Sequence, residues 1–140
     1  MSPGVEMRDD FPKRTIDILA KRVGQRCSNP DCLRPTSGPH TEPSKSVVVG
    51  VAAHITAASA GGPRYDAGLS PEQRRSIDNG IWLCQTCAKL VDSDQARYTK
   101  DLLLRWRRDA EKETLRRIEA ASGGTSPSDL DALKEYGAQF

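Results

Sequence analysis

Two pairs of closely spaced cysteines constrain this chain more than any other feature. Cys27 and Cys32 bracket four residues, Cys84 and Cys87 bracket two, and 51 residues lie between the pairs. Each pair falls in a turn beside a strand or helix end. Four thiolates at about 2.3 Å are the donor set of a tetrahedral structural zinc, and short spacings keep the closure entropy of each half small. Two disulfides or four unligated thiols are the alternatives. Short pairs make poor disulfide geometry, and a reducing compartment disfavours them further. Four sulfur ligands leave no open position, so a zinc here is expected to hold the fold rather than to perform chemistry.

A metal clamp also answers a problem of size. The 140 residues include only seven aromatics (two Trp, three Tyr, two Phe), which makes a thin core. Small domains with thin cores need a staple. The length fits one domain with tails. No apolar run approaches the roughly 18 residues of a membrane helix, the longest being Val47–Ala53 with Gly50 inside it. The opening residues MSPGVEMRDD are polar and acidic. No targeting peptide is read there, and the expected location is cytoplasmic. The formal charge is +2. Four thiols ligating one zinc lose four protons and gain a doubly charged ion, which brings the chain close to neutrality. Bulk charge therefore does not point to nucleic acid; only placed cations could.

Punctuation along the chain gives an α+β reading. Asp10 is expected to cap a helix over Lys13–Val23, with Ile16, Leu19 and Ala20 on one face and Gly24 as its stop. Residues 33–46, rich in proline, read as a loop. Val47–Val49 and Val51–Ile55 read as a strand or hairpin broken at Gly50, and residues 57–69 as a second loop. Ser70-Pro71-Glu72-Gln73 is a helix start with a capping box, running to about Ile77. Ile81–Leu83 is a short strand, Ala88–Asp92 a short helix, and Thr99 caps a long helix to about Ala120. Asp129–Tyr136 is expected to be a last short helix. The expected domains are a flexible N-terminus over 1–12, a body over 13–121, and a linker and tail over 122–140.

Between the cysteine pairs stands a second pattern: Val51-Ala52-Ala53-His54-Ile55, a Gly61-Gly62-Pro63-Arg64-Tyr65-Asp66 loop, Ser70 through Cys84 (SPEQRRSIDNGIWLC), and Cys87-Ala88-Lys89-Leu90. Over about residues 22–110 the sequence resembles the HNH endonuclease family, also called ββα-metal or His-Me finger. The branch it resembles has zinc knuckles and occurs in bacterial antiphage effectors. The resemblance implies a small ββα-metal fold that hydrolyses DNA phosphodiesters with a catalytic Mg2+ or Mn2+. His54 matches the family's general base, a role suited to an imidazole that is mostly neutral at pH 7. Asn79 matches the residue that holds the loop and orients that base. The third motif position, a metal-binding His in the family, is Ala88 here, and the residue before the base is Ala53. A methyl group cannot bind a metal, so the catalytic ion's site is expected to be weakened and the activity impaired. Ala88 is either a replacement that silences the enzyme, a natural loss, or compensated by Asp92, which lies four residues on and shares its helix face. A non-catalytic zinc-ribbon module that binds nucleic acid or protein is the alternative reading.

The cations nearest the motif are Arg64, Lys45, Arg74, Arg75, Lys89 and Arg97. They are the expected phosphate contacts, Arg64 foremost because its glycine loop lets backbone approach DNA closely. No base-reading helix is visible. The expected partner is therefore double-stranded DNA with low sequence preference. His40, in the Pro-rich loop, is expected to be exposed and without a role. The long helix offers a homodimer surface, and the Gly-Gly-Thr-Ser stretch after it resembles a tether to a C-terminal sensor domain.

Overall fold

The structure, a computed structural model, describes residues 8–123. The expected helix Asp129–Tyr136 lies outside them. Among the described residues the elements run α1 (Lys13–Arg22), β1 (Ser37–Pro39), β2 (Ser46–Val48), β3 (Gly50–His54), α2 (Pro71–Arg75), a 3₁₀ turn (Ile77–Asn79), β4 (Gly80–Cys84), α3 (Gln85–Ser93) and α4 (Lys100–Gly123). The architecture is α+β, with two small antiparallel sheets. No described helix is long and apolar enough to cross a membrane.

Helix boundaries follow from capping chemistry. Helix α1 stops in a Schellman turn, in which Gly24 and Gln25 both take positive φ. Gln25 N donates to Ala20 O at 2.7 Å and Gly24 N to Lys21 O at 3.0 Å. The helix starts at Lys13 as expected, but its cap differs from expectation. Pro12 occupies the cap position with no side-chain cap bond, and Asp10, two residues too early to reach the first-turn amides, pairs with Arg8 instead. Ser70 and Gln73 form the reciprocal capping box of α2. That helix ends at Arg75, because Ser76 is extended and its hydroxyl caps the following 3₁₀ turn through Asp78 N. Thr99 Oγ1 accepts from Leu102 N at 3.2 Å at the start of α4.

Strands β1 and β2 pair from Ser37↔Val48 to Pro39↔Ser46. Strand β1 lies inside the stretch read as loop; three residues of Ser, Gly and Pro carry no strand signal of their own. Strands β3 and β4 pair from Gly50↔Cys84 to His54↔Gly80. Gly50 is therefore the first residue of β3 rather than a mere break. A Cβ there would fall 2.3 Å from the Trp82 ring.

The β3–β4 ribbon is the centre of the molecule, and β4 is buried along its whole length. Alternation across the pleat splits its side chains between two cores. On one side Ile81 and Leu83 join Ile55, Val91, Leu103, Trp106 and three of the cysteines, between α3 and α4. On the other Trp82 packs with Leu19 and Ala20 of α1 and with Val23 just beyond it. Trp82 Nε1 donates to Thr36 Oγ1 at 2.9 Å, so its one polar atom is satisfied in the apolar layer. Arg107 of α4 donates to Ile77 O and Gly80 O at 2.6 and 3.1 Å and tethers α4 to the start of β4.

Candidate functional site

The four cysteines converge. Their Sγ atoms all lie within 4.8 Å of one another, and none is in a disulfide. Cys32 Sγ and Cys84 Sγ stand 3.9 Å apart. A tetrahedron with metal–sulfur bonds of about 2.3 Å has edges of about 3.8 Å, whereas a disulfide needs about 2.05 Å. The first pair hangs on a turn stitched by Asn29, whose carbonyl accepts from Cys32 N at 2.9 Å and Leu33 N at 3.0 Å. The second pair spans the junction of β4 and α3, where Cys84 caps the helix and its sulfur accepts from Cys87 N at 3.4 Å. Asn29 Nδ2 donates to Cys87 Sγ at 3.4 Å. Donors aimed at sulfur suit thiolates, as second-shell groups do around a metal. Burial pushes the Cys27 and Cys87 thiols up. Burial also opposes ionisation of Cys32, but the Arg34 backbone and the neighbouring thiols outweigh it and bring it down to about 7. Geometry and donor set are those of a structural metal centre, consistent with zinc.

On β3, beside the α3 helix, lies a cleft of about 200 Å³ whose lining includes Arg8, Ala53, His54, Ala88 and Asp92. His54 is the last residue of β3. Its Nε2 lies 2.8 Å from Asp9 O. A carbonyl only accepts, so Nε2 carries the proton and Nδ1 is the basic nitrogen. Phe11 stacks on the imidazole, with ring centroids 3.9 Å apart and planes within 9°. Burial lowers the His54 pKa below 6.5, opposed in part by the bond to Asp9, and Arg8 lowers it further. The imidazole is therefore neutral at pH 7.

Asn79 is buried at the end of the 3₁₀ turn. Its Oδ1 accepts from Thr56 N at 3.0 Å and Thr56 Oγ1 at 2.5 Å, and its Nδ2 donates to Thr56 O and Arg74 O, each at 3.0 Å. It thereby fixes the chain two residues beyond His54 without touching the ring.

Asp92 shares the cleft with Ala88, but its Oδ1 is held by Arg64 Nη2 at 2.9 Å. Arg64, expected to face substrate, is turned inward with 6% of its side chain exposed. It donates to Ile55 O at 2.6 Å, Val91 O at 3.0 Å and Tyr98 O at 3.1 Å. Its φ is 56°, in the left-handed region. The other expected contacts divide. Lys45 and Arg97 are exposed and pair with Glu42 and Asp94. Lys89 is exposed on α3. Arg74 and Arg75 both reach the Asp9 carboxylate. His40 is exposed, and its Nδ1 accepts from Glu42 N at 2.9 Å.

Sequence reasoning missed the part played by residues 8–12. Read as fraying, they instead lie across β3: Asp9 N donates to Ala58 O at 3.0 Å, and Phe11 is 8% exposed. A lone Phe beside Asp10 and Pro12 was the only available signal. The residues now in the cleft do not fit a catalytic divalent ion. Ala53 and Ala88 offer methyl groups, Asp92 is engaged by Arg64, and His54 Nε2 by a carbonyl. Compared with protein-family models the chain finds no match, and a search of curated proteins gives none either.

Proposed function

We propose that this chain is an HNH-type nuclease domain directed at DNA phosphodiesters, with a structural zinc and with a catalytic-metal position that has lost its ligands. The observation that carries the reading is the convergence of His54 and Ala88 on one cleft of a hairpin–helix unit, β3–β4–α3. Asn79 closes the hairpin end, as the resemblance implies. In this reading His54 Nδ1 takes a proton from the attacking water, and Asn79 holds the strand end that carries it. A positioned base contributes about 10²–10⁴-fold on its own. Phosphate-ester hydrolysis needs far more, so this chain cleaves very slowly.

The same bare cleft favours a second reading, a zinc-bearing module that binds nucleic acid without cutting it. Nicking of supercoiled DNA in Mn2+ or Mg2+ by this chain and by its Ala88→His variant separates the two. The nuclease reading expects the Ala88→His variant to nick at least about 10²-fold faster, since a bound ion supplies several kcal/mol of charge stabilisation. It also expects loss of that gain when His54→Ala is added. Equal cleavage by the parent and by Ala88→His would refute it.

A further inference from the structure

Asp9 touches two things that a nuclease would keep for its substrate. Its main-chain carbonyl accepts from His54 Nε2 at 2.8 Å. Its carboxylate takes Arg74 Nη1 at 3.3 Å on one oxygen and Arg75 Nη1 at 3.4 Å on the other. These contacts are long for charge-assisted bonds, which close to about 2.7–2.9 Å. One carboxylate is shared between two guanidiniums, and a second, that of Glu72, stands 3.8 Å from Arg75 alone.

Arg74 does not depend on Asp9 for its placement. Arg74 lies over the Tyr65 ring at 4.9 Å, and its Nη2 donates to Tyr65 Oη at 3.1 Å and Asp66 O at 3.3 Å. Its main-chain carbonyl is held by Asn79. Arg74 Nε is buried with no hydrogen-bond partner among the described residues, a donor that the carboxylate leaves unused. Arg75, 40% exposed, has among the described residues only a distant second ion-pair partner in Glu72 at 3.8 Å. A tetrahedral phosphate offers more acceptor oxygens to such a pair than a carboxylate does, and arginine is suited to that geometry.

We infer that Arg74 and Arg75 form a phosphate site that Asp9 fills in the free protein, and that a DNA backbone phosphate displaces the Asp9 carboxylate and lifts residues 8–12 from His54. The inference rests on the nucleic-acid reading above and adds the entry step to it. The segment covers the base until a phosphate arrives at the neighbouring arginines. Arg8 and Asp10, paired with each other at 2.9 Å on the same segment, leave with it.

The test titrates the zinc-loaded full chain and its Asp9→Asn variant with a short DNA duplex at several salt concentrations. His54 and Phe11 ring resonances are followed by NMR, and inorganic phosphate is the second titrant. Near-ultraviolet circular dichroism checks that the variant is folded, and Asp9→Asn with Arg75→Ala serves as the reversal control. We expect Asp9→Asn to bind the duplex at least about fivefold more tightly. Its log–log salt slope should match that of the wild type, because the same phosphates are engaged in both complexes, whereas Arg75→Ala should cancel the gain and make the slope shallower by about 0.9. In the wild type, duplex should abolish the ring-current effect of Phe11 on His54. Equal affinity of the two proteins, with the His54 resonances unmoved in the complex, would overturn the inference and leave the nucleic-acid reading standing. A response to inorganic phosphate without one to duplex would make this a small-anion site and overturn displacement by DNA. Failure of every variant to bind duplex or phosphate would remove the nucleic-acid reading and the inference together.

Discussion

Arg64→Ala separates the role that the sequence implied for this residue from the role its surroundings give it. The guanidinium serves three main-chain carbonyls, Ile55 O, Val91 O and Tyr98 O, and the Asp92 carboxylate, and it is only 6% exposed. Hydrogen bonds to a charged donor are worth about 1.5–3 kcal/mol each, and a buried carbonyl left unpaired costs about 1–3 kcal/mol. Water entering from the adjoining cleft recovers part of this. Asp92, 47% exposed, contributes little through its ion pair because solvent screens it. A net loss of about 3–5 kcal/mol follows, large against the roughly 5–15 kcal/mol of a whole domain. The assay is urea unfolding of zinc-loaded protein, read by the fluorescence of Trp82 and Trp106, both buried. Arg64→Lys keeps the charge but not the fork, and should lose about half as much while binding duplex DNA within about twofold of the parent. A stability change below about 0.5 kcal/mol in Arg64→Ala, with a tenfold drop in DNA affinity, would refute this reasoning and return Arg64 to the substrate.

Three further outcomes follow from the geometry. Purified protein should carry one zinc per chain, a strong chelator should unfold it, and Cys27→Ser or Cys87→Ser should reproduce that loss; native protein without zinc would contradict the clamp. His54 should titrate below its ordinary value of 6.5, and Phe11→Ala, which removes the stacked ring, should bring it back up, as followed by NMR. The linked stability has a definite sign. The folded pKa is the lower one, so the unfolded chain takes up the proton first. The stability associated with a neutral His54 is complete above pH 6.5 and is lost as pH falls from there through the folded pKa. His54→Gln should lack this component in parallel unfolding curves.

What could be read from the sequence was local chemistry with fixed offsets. The capping box at Ser70 and Gln73, the Gly24 stop and the Thr99 cap are satisfied within a few residues, and they stand as expected apart from the early end of α2. The cysteine pairs were legible because thiolate spacing carries its own geometry. The failures are long-range. Arg64 looked like a surface cation because the carbonyls that claim it belong to residues 55, 91 and 98. Asp92 looked like a spare ligand for the same reason. Asp9 and Phe11 gave no periodic or capping signal; their order comes from His54 and Ala58, more than forty residues away along the chain. Strand β1 exists only because β2 pairs with it. Helix α3 begins at Gln85 rather than Ala88 because Cys84, counted as a ligand, also serves as its cap.

On the proposed reading, a chain whose catalytic-metal position stands bare should gain activity when a ligand is placed there. The decisive quantity is the Mn2+-dependent nicking rate of Ala88→His, set beside that of the parent and of Ala88→His with His54→Ala. The single substitution is expected to raise nicking by about 10²-fold or more, and removing His54 should abolish the gain. Cleavage by the parent equal to that of Ala88→His, or a gain that survives the loss of His54, would contradict the nuclease reading.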